Sequence, residues 1–335
     1  MPAPDPLLSI RNLTVEFDTP RGPLLANNRV SLDVGIGETL GIVGESGSGK
    51  SVLCRAVLRL LPTPPARVHA DAILFQGRDL VHLSKAQMRA VRGRDIAMVF
   101  QNPMSSLNPV WPIGNQIAES AMLHKALGGR EARRSAIALL KRVGIPSAET
   151  RVDDYPHQWS GGMLQRAVIA MAMAGEPKLL LADEPTTALD VTIQDQILSL
   201  LMELQRETRM AMVLVSHDMS VIAETCDRVA VMYAGYIVEL AAMRQLFEAP
   251  RHPYTHGLLR SIPRVREKSG RLSSISGQPP DLTRLGPGCP FVERCAVGSA
   301  ECRTHPIALS AYDDGHTTAC LFPERMAELD RKVAS

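Results

Sequence analysis

The run Gly44-Glu45-Ser46-Gly47-Ser48-Gly49-Lys50-Ser51 has the form G-x-x-x-x-G-K-S and constrains this chain more than any other segment. It follows a short apolar, strand-like run (residues 39–43) and precedes a helix-like run (residues 52–58), which is the context a phosphate-binding loop requires. Glycine reaches positive φ at little cost, so successive backbone N–H groups can turn inward around an anion, and the following helix N-terminus adds its positive dipole end. Lys50 is placed to reach β- and γ-phosphates, and Ser51 to set its hydroxyl on Mg²⁺.

The rest of the chain alternates strand-like and helix-like segments, which predicts an α/β fold with a largely parallel sheet. Strands are expected over residues 8–17, 30–34, 73–75, 96–100, 179–182 and 212–215. After Gln101 the character changes to an Asn/Pro/Ser-rich loop and helix-like stretches near 114–127 and 130–143, which reads as a helical insertion at about 102–175. A domain of residues 1–260 is expected to be followed by a small irregular extension, 261–335, that opens on a Pro/Gly/Ser-rich linker.

A second constellation sits at strand ends. The apolar run 179–182 ends in Asp183, a carboxylate suited to holding Mg²⁺, and Glu184 follows as the candidate to orient or deprotonate an attacking water. His217 ends another strand, where it could sense a γ-phosphate. Gln101 ends a third, before the insertion. Ser160-Gly161-Gly162 opens a helix and makes a second candidate anion nest.

In this order the segments resemble the ATP-binding-cassette (ABC) ATPases. The Walker A loop is Gly44–Ser51, the Q-loop residue Gln101 and the signature Ser160-Gly161-Gly162; Walker B is Leu179–Asp183 with Glu184, the D-loop Ala188-Leu189-Asp190 and the switch histidine His217. The resemblance implies an ABC-type P-loop ATPase domain using ATP and Mg²⁺, with Ser51, Gln101 and Asp183 at the metal and Phe17 stacked on adenine. It also implies head-to-tail pairs in which each ATP lies between one Walker A loop and the partner's signature. Trp159 and Leu164 depart from the usual residues flanking the signature.

Finer strings, among them residues 100–109, 182–192, 232–235 and Pro250-Arg251-His252-Pro253-Tyr254-Thr255, resemble the ATPase subunits of dipeptide and oligopeptide importers, the dipeptide type in particular. That resemblance implies two membrane permease subunits, a second ATPase subunit (the same chain or a homologue), an indirectly coupled extracytoplasmic peptide-binding protein, and a peripheral place on the cytoplasmic face of the membrane. Related importers of nickel and other small solutes share much of the pattern. An ABC ATPase of DNA repair or translation would carry two cassettes or a long coiled coil, and neither is present.

Composition agrees. The 335 residues are 45% apolar, enough for a full core, and 37 basic residues face 35 acidic ones. With 4% aromatics and no concentrated basic run, nucleic acid is not an expected partner. No apolar run approaches the ~18–20 residues that span a bilayer, and the N-terminus lacks signal-peptide regions.

Cys289, Cys295, Cys302 and Cys320 are spaced C-x5-C-x6-C-x17-C in the tail. Four thiolates can hold a [4Fe–4S] cluster or a tetrahedral Zn²⁺, and the spacing itself leaves both, and free thiols, open. The importer resemblance points to iron–sulfur rather than zinc, in a structural or a redox-regulatory role. Cys54 and Cys226 read as buried packing residues.

Overall fold

In a computed structural model the protein is described over residues 5–187, 189–261, 275–326 and 329. The chain forms two compact units. One comprises the N-terminus up to Leu7, Val34–Glu38 and Asp79–Val215; the other comprises Leu8–Asp33, Thr39–Arg78 and the chain from Ser216 onward.

In the first unit, strands β7 (Ile96–Val99), β8 (Leu179–Asp183) and β9 (Ala211–Ser216) run parallel, in register Ile96↔Leu179 and Leu179↔Ala211. All residues of β8 and β9 are buried, which is why they read as unbroken apolar runs without alternation. Between β7 and β8 the chain is helical: Pro103–Ser106, Ile113–Lys125, Gly129–Arg142, Ala148–Arg151 and Gly161–Met173. The Gly161–Met173 helix is apolar on nearly every side and lies inside this unit's core, where Ala167, Val168, Ile169 and Ala170 are each at most 1% exposed. Leu164 and Trp159 belong to the same core, and the Trp159 indole donates to Asp154 at 3.0 Å. Their departures from the family pattern are thus packing choices beside the signature. The Val191–Thr208 helix is capped by Asp190, which accepts from the Ile193 N–H at 3.1 Å.

In the second unit, β1 (Leu8–Thr19) pairs antiparallel with β4 (Ala66–His69) and β5 (Ala72–Phe75), and its sheet also holds β2 (Gly22–Val34) and β6 (Arg78–Asp79). A further set of strands follows the order β12 (Ser310–Asp313), β13 (His316–Thr318), β11 (Tyr236–Ala242), β10 (Arg228–Tyr233), β3 (Thr39–Val43). Only β10 and β3 are parallel there. The parallel pairing expected from sequence holds for β7, β8 and β9 and for β10 with β3, whereas β1 with β4 and β5, and β11 to β13, pair antiparallel: hairpins join β10 to β11 and β12 to β13, and a short hairpin permits antiparallel pairing alone. The β10–β11 turn places Ala234 and Gly235 both at positive φ, 48° and 85°, the twist a two-residue hairpin favours. Strand β2 begins at Gly22, well before residue 30, where it lies beside β1 in the sheet. Cys54 is buried as expected; Cys226, at the end of the Met219–Thr225 helix, is only half-buried.

One buried polar network fixes the segment after β11. Glu239 is fully buried on β11 and accepts from the backbone N–H groups of Arg251 (2.6 Å) and His252 (3.0 Å) and from the His316 ring at 2.7 Å. His252 in turn caps the Pro253–Arg260 helix by accepting from the Tyr254 N–H at Nδ1 (3.1 Å). Burial pushes the His252 imidazole down to about 3. A depressed folded pKa means that the neutral ring's contribution is fully present above the unfolded value near 6.5 and is lost as pH falls toward 3. By pH 5 the loss from this group reaches about 2 kcal/mol. His252→Asn, which can cap without titrating in this range, is expected to flatten the fall of Tm between pH 6.5 and 5; parallel Tm curves for wild type and variant would refute the assignment.

Candidate nucleotide-binding site

The phosphate loop leaves β3 and enters the Lys50–Val57 helix. Three of its glycines, Gly44, Gly47 and Gly49, hold positive φ, and at two of them a side chain would also collide with backbone. Gly44 has φ 153° and a Cβ there would lie 2.1 Å from the Met232 carbonyl oxygen; Gly49 has φ 101° and a Cβ there would lie 2.2 Å from the Ala26 carbonyl oxygen. Asn27, fully buried, donates to the Gly49 carbonyl at 3.1 Å and holds the loop's end. Lys50 is 4% exposed, and its ammonium donates to the carbonyls of Gly44 (2.7 Å) and Glu45 (3.0 Å), so the cation is folded over the loop. Ser48 is buried, with its hydroxyl left unsatisfied among the described residues. A buried lysine over a glycine-built nest, with an unused hydroxyl in it, has the donor set an anionic group requires. Glu45 is held by two residues to which the sequence assigns no role at the loop: its N–H donates to the Tyr254 hydroxyl (2.8 Å), and its carboxylate meets Arg294 in a two-pronged pair. Ser46 and Gly47 complete the loop near the surface, and Ser51 opens the helix half-buried.

In the other unit, Asp183 ends β8 fully buried. Glu184 follows in a left-handed backbone, φ 48°, with its N–H bonded to the Val215 carbonyl at 3.1 Å. For a non-glycine residue that conformation is uncommon, and it turns the carboxylate off the strand axis. Its Oε2 accepts from Gln101 Nε2 at 3.0 Å and from the Thr187 hydroxyl at 2.9 Å. Gln101 and Glu184, 83 positions apart, are thus brought together. Thr187 is a member that sequence reasoning did not single out; its only signal is its place three residues after Glu184.

Ser160 caps the Gly161–Met173 helix, its hydroxyl accepting from the Met163 N–H at 3.4 Å. Ser160 and Gly161 are exposed and Gly162 half-buried at a 13-residue helix N-terminus, open to an anion from outside. In the D-loop, Ala188 lies outside the described residues, and Asp190 is engaged as a helix cap. His217 is exposed just after β9, and Asp218 beside it caps the next helix by accepting from Ser220 N–H at 2.8 Å. Phe17 is half-buried near the end of β1, opposite Ala66.

None of the four tail cysteines is in a disulfide, and each is half-buried. The Cys289 N–H donates to the Cys302 carbonyl at 2.7 Å. Burial pushes the Cys289 thiol up to about 12 and the Cys320 thiol up to about 11, and neighbouring tail thiols add to both shifts. The four are therefore mutual neighbours, yet among the described residues no three Cys, His, Asp or Glu side chains converge tightly enough to hold a metal ion. The expected iron–sulfur ligand set is not assembled in this arrangement. Among the described residues, no helix is long and apolar enough to cross a membrane.

Comparison with known proteins is consistent across sequence and structure. The ABC transporter family model matches residues 27–187, and that of the oligopeptide/dipeptide transporter C-terminal region matches 238–302. The dipeptide transport ATP-binding protein DppD of Bacillus subtilis is 47% identical over 96% of this chain and 96% of its own length. The oligopeptide transport ATP-binding protein OppD of the same organism is 50% identical over 86% of this chain and 81% of its own. Among solved structures, the ATP-binding cassette MJ0796, a dimer in a post-hydrolysis state bound to ADP and Pi, superposes with a TM-score of 0.63 at 27% identity, covering 71% of this chain and 99% of that one. With an α/β fold, a glycine-built phosphate loop and relatives matched along nearly their full length, this chain belongs to the ATP-binding proteins of the ABC transporter family.

Proposed function

We propose that this chain is the ATP-hydrolysing, energy-coupling subunit of an ABC importer for dipeptides or oligopeptides. The observation that carries the reading is the pairing of a phosphate loop built around a buried Lys50 with a C-terminal region of the oligopeptide/dipeptide type. Residues 1–260 act as the nucleotide-binding domain and 261–335 as its extension.

ATP and its Mg²⁺ are the substrate. The amides of Gly44–Ser51 surround the phosphates, and Lys50 exchanges the Gly44 and Glu45 carbonyls for phosphate oxygens. The Ser51 hydroxyl, Gln101 and Asp183 serve the Mg²⁺. Glu184, aimed by Gln101 and Thr187, orients the attacking water and accepts its proton, and His217 reports the γ-phosphate. Phe17 offers its ring to the base. Ser160, Gly161 and Gly162 take the γ-phosphate held by a second ATPase subunit, so the pair closes around ATP and opens after hydrolysis. Two permease subunits receive that motion at the cytoplasmic face of the membrane, and an extracytoplasmic binding protein delivers the peptide. Whether the second ATPase is a homologue or a copy of this chain is read by co-purification.

The four tail cysteines are proposed to take up a [4Fe–4S] cluster, supported by their number, their mutual proximity and the importer resemblance. Cluster loading would require the sulfurs to draw inward and the buried thiols to give up their protons. Protein purified without oxygen is expected to carry iron and acid-labile sulfide; zinc alone, or no metal, would reject the cluster.

Substrate class is tested by uptake in the native host with this chain removed. Loss of labelled dipeptide uptake, restored by the wild-type chain, is expected. Intact peptide uptake with loss of nickel uptake would move the chain to a sister importer.

A further inference from the structure

The C-terminal extension reaches back to the phosphate loop through one side chain. Arg294 lies next to Cys295, yet its side chain is only 6% exposed. All five of its N–H donors are used. Nη1 and Nη2 form a fork on the Glu45 carboxylate at 2.8 and 2.9 Å, Nη1 also meets the Tyr233 hydroxyl at 3.2 Å, and Nη2 and Nε meet the carbonyls of Ile275 (3.3 Å) and Ser276 (2.9 Å). Full use of a rigid five-donor group marks a built contact rather than a passing surface pair. Its partner is the second residue of the phosphate loop, 249 positions away in sequence.

The surroundings are equally specific. Tyr233, Tyr254 and Phe291 form a mutual aromatic cluster with ring centres 4.6–5.4 Å apart, and the Tyr254 hydroxyl accepts the Glu45 N–H. Glu45 is therefore gripped at both its backbone and its carboxylate. Its own carbonyl accepts from Lys50 and from the Ser48 N–H (3.2 Å), so fixing Glu45 fixes the curvature of the loop.

We propose that Arg294 is a positioning residue for nucleotide binding: from the C-terminal extension it pins the phosphate loop through Glu45 and neutralises a carboxylate that would otherwise repel incoming phosphates. The inference rests on the reading of Gly44–Ser51 as the ATP-binding loop. A loop already held in its bound curvature loses less freedom on binding, and a neutralised carboxylate removes a like-charge penalty; both act on affinity rather than on the chemical step.

The test uses the full-length chain for the Kd of MgATP and the assembled transporter for KM and kcat of hydrolysis. Arg294→Ala is expected to raise Kd and KM about tenfold while kcat changes less than about threefold. Arg294→Lys, which keeps the charge but loses the fork, is expected to fall between. Adding Glu45→Gln to Arg294→Ala is expected to recover more than half of the lost affinity, because the uncompensated charge is then gone. That rescue distinguishes positioning from a merely unfolded tail, which Glu45→Gln could not repair. Wild-type Kd and KM in Arg294→Ala, or a double variant no better than the single one, would overturn the proposal. Lys50→Ala separates the two levels: if it binds MgATP normally, the loop reading itself fails; if it loses binding while Arg294→Ala does not, only the role of Arg294 falls.

Discussion

Glu184→Gln is expected to keep MgATP bound and to lower hydrolysis by about 10²–10⁴-fold, the range over which a positioned general base contributes. The substitution is nearly isosteric, so the backbone at φ 48° is undisturbed. The introduced amide can still present an oxygen to Gln101 and Thr187, whose donors are 3.0 and 2.9 Å from Glu184 Oε2. What the variant loses is the basic oxygen that takes the water's proton. With binding intact and turnover blocked, the ATP-bound pair accumulates, so the variant is expected to elute as a larger species with MgATP than without it. Hydrolysis within about threefold of wild type would remove Glu184 from the catalytic role and leave the bonds from Gln101 and Thr187 as purely structural.

Glu239→Ala is expected to cost about 3–5 kcal/mol, because it removes one partner of a buried polar set and strands the others. The N–H groups of Arg251 and His252 and the ring of His316 all converge on this carboxylate, and the fully buried site offers them no water instead. A carboxylate only accepts, so His316 Nε2 carries the hydrogen in this bond. Glu239→Gln keeps the shape but gives up one acceptor oxygen, and is expected to lie between alanine and wild type. Limited proteolysis reads the effect locally: cleavage between residues 243 and 326 is expected to accelerate in the alanine variant. Unchanged Tm and unchanged cleavage would show that the network is dispensable.

How much of this is legible in the chain depends on range. The phosphate loop is readable because its glycines, its lysine and its flanking strand and helix are contiguous. The buried strand ending in Asp183 is readable because a fully buried strand is one unbroken apolar run. The Lys85–Val91 helix is absent from the sequence reading although its capping box is written in Ser84 and Gln87, a short-range signal. Other features have no local signature. The left-handed Glu184 breaks the preference of its residue type and is imposed by the chain around it. Arg294 stands in a polar, irregular segment where nothing local marks its attachment to Glu45. The cysteines mark the opposite limit: their spacing suggests a ligand set, whereas the folded tail brings them near one another without converging them.

The most direct test of the account is uptake of a labelled dipeptide by the assembled transporter in sealed vesicles, with ATP consumption followed in the same samples. The account predicts that uptake requires MgATP, that peptide delivered on the binding protein accelerates hydrolysis, and that Glu184→Gln abolishes both uptake and hydrolysis while leaving MgATP binding intact. Dipeptide uptake that persists with Glu184→Gln in every copy of this subunit would contradict it.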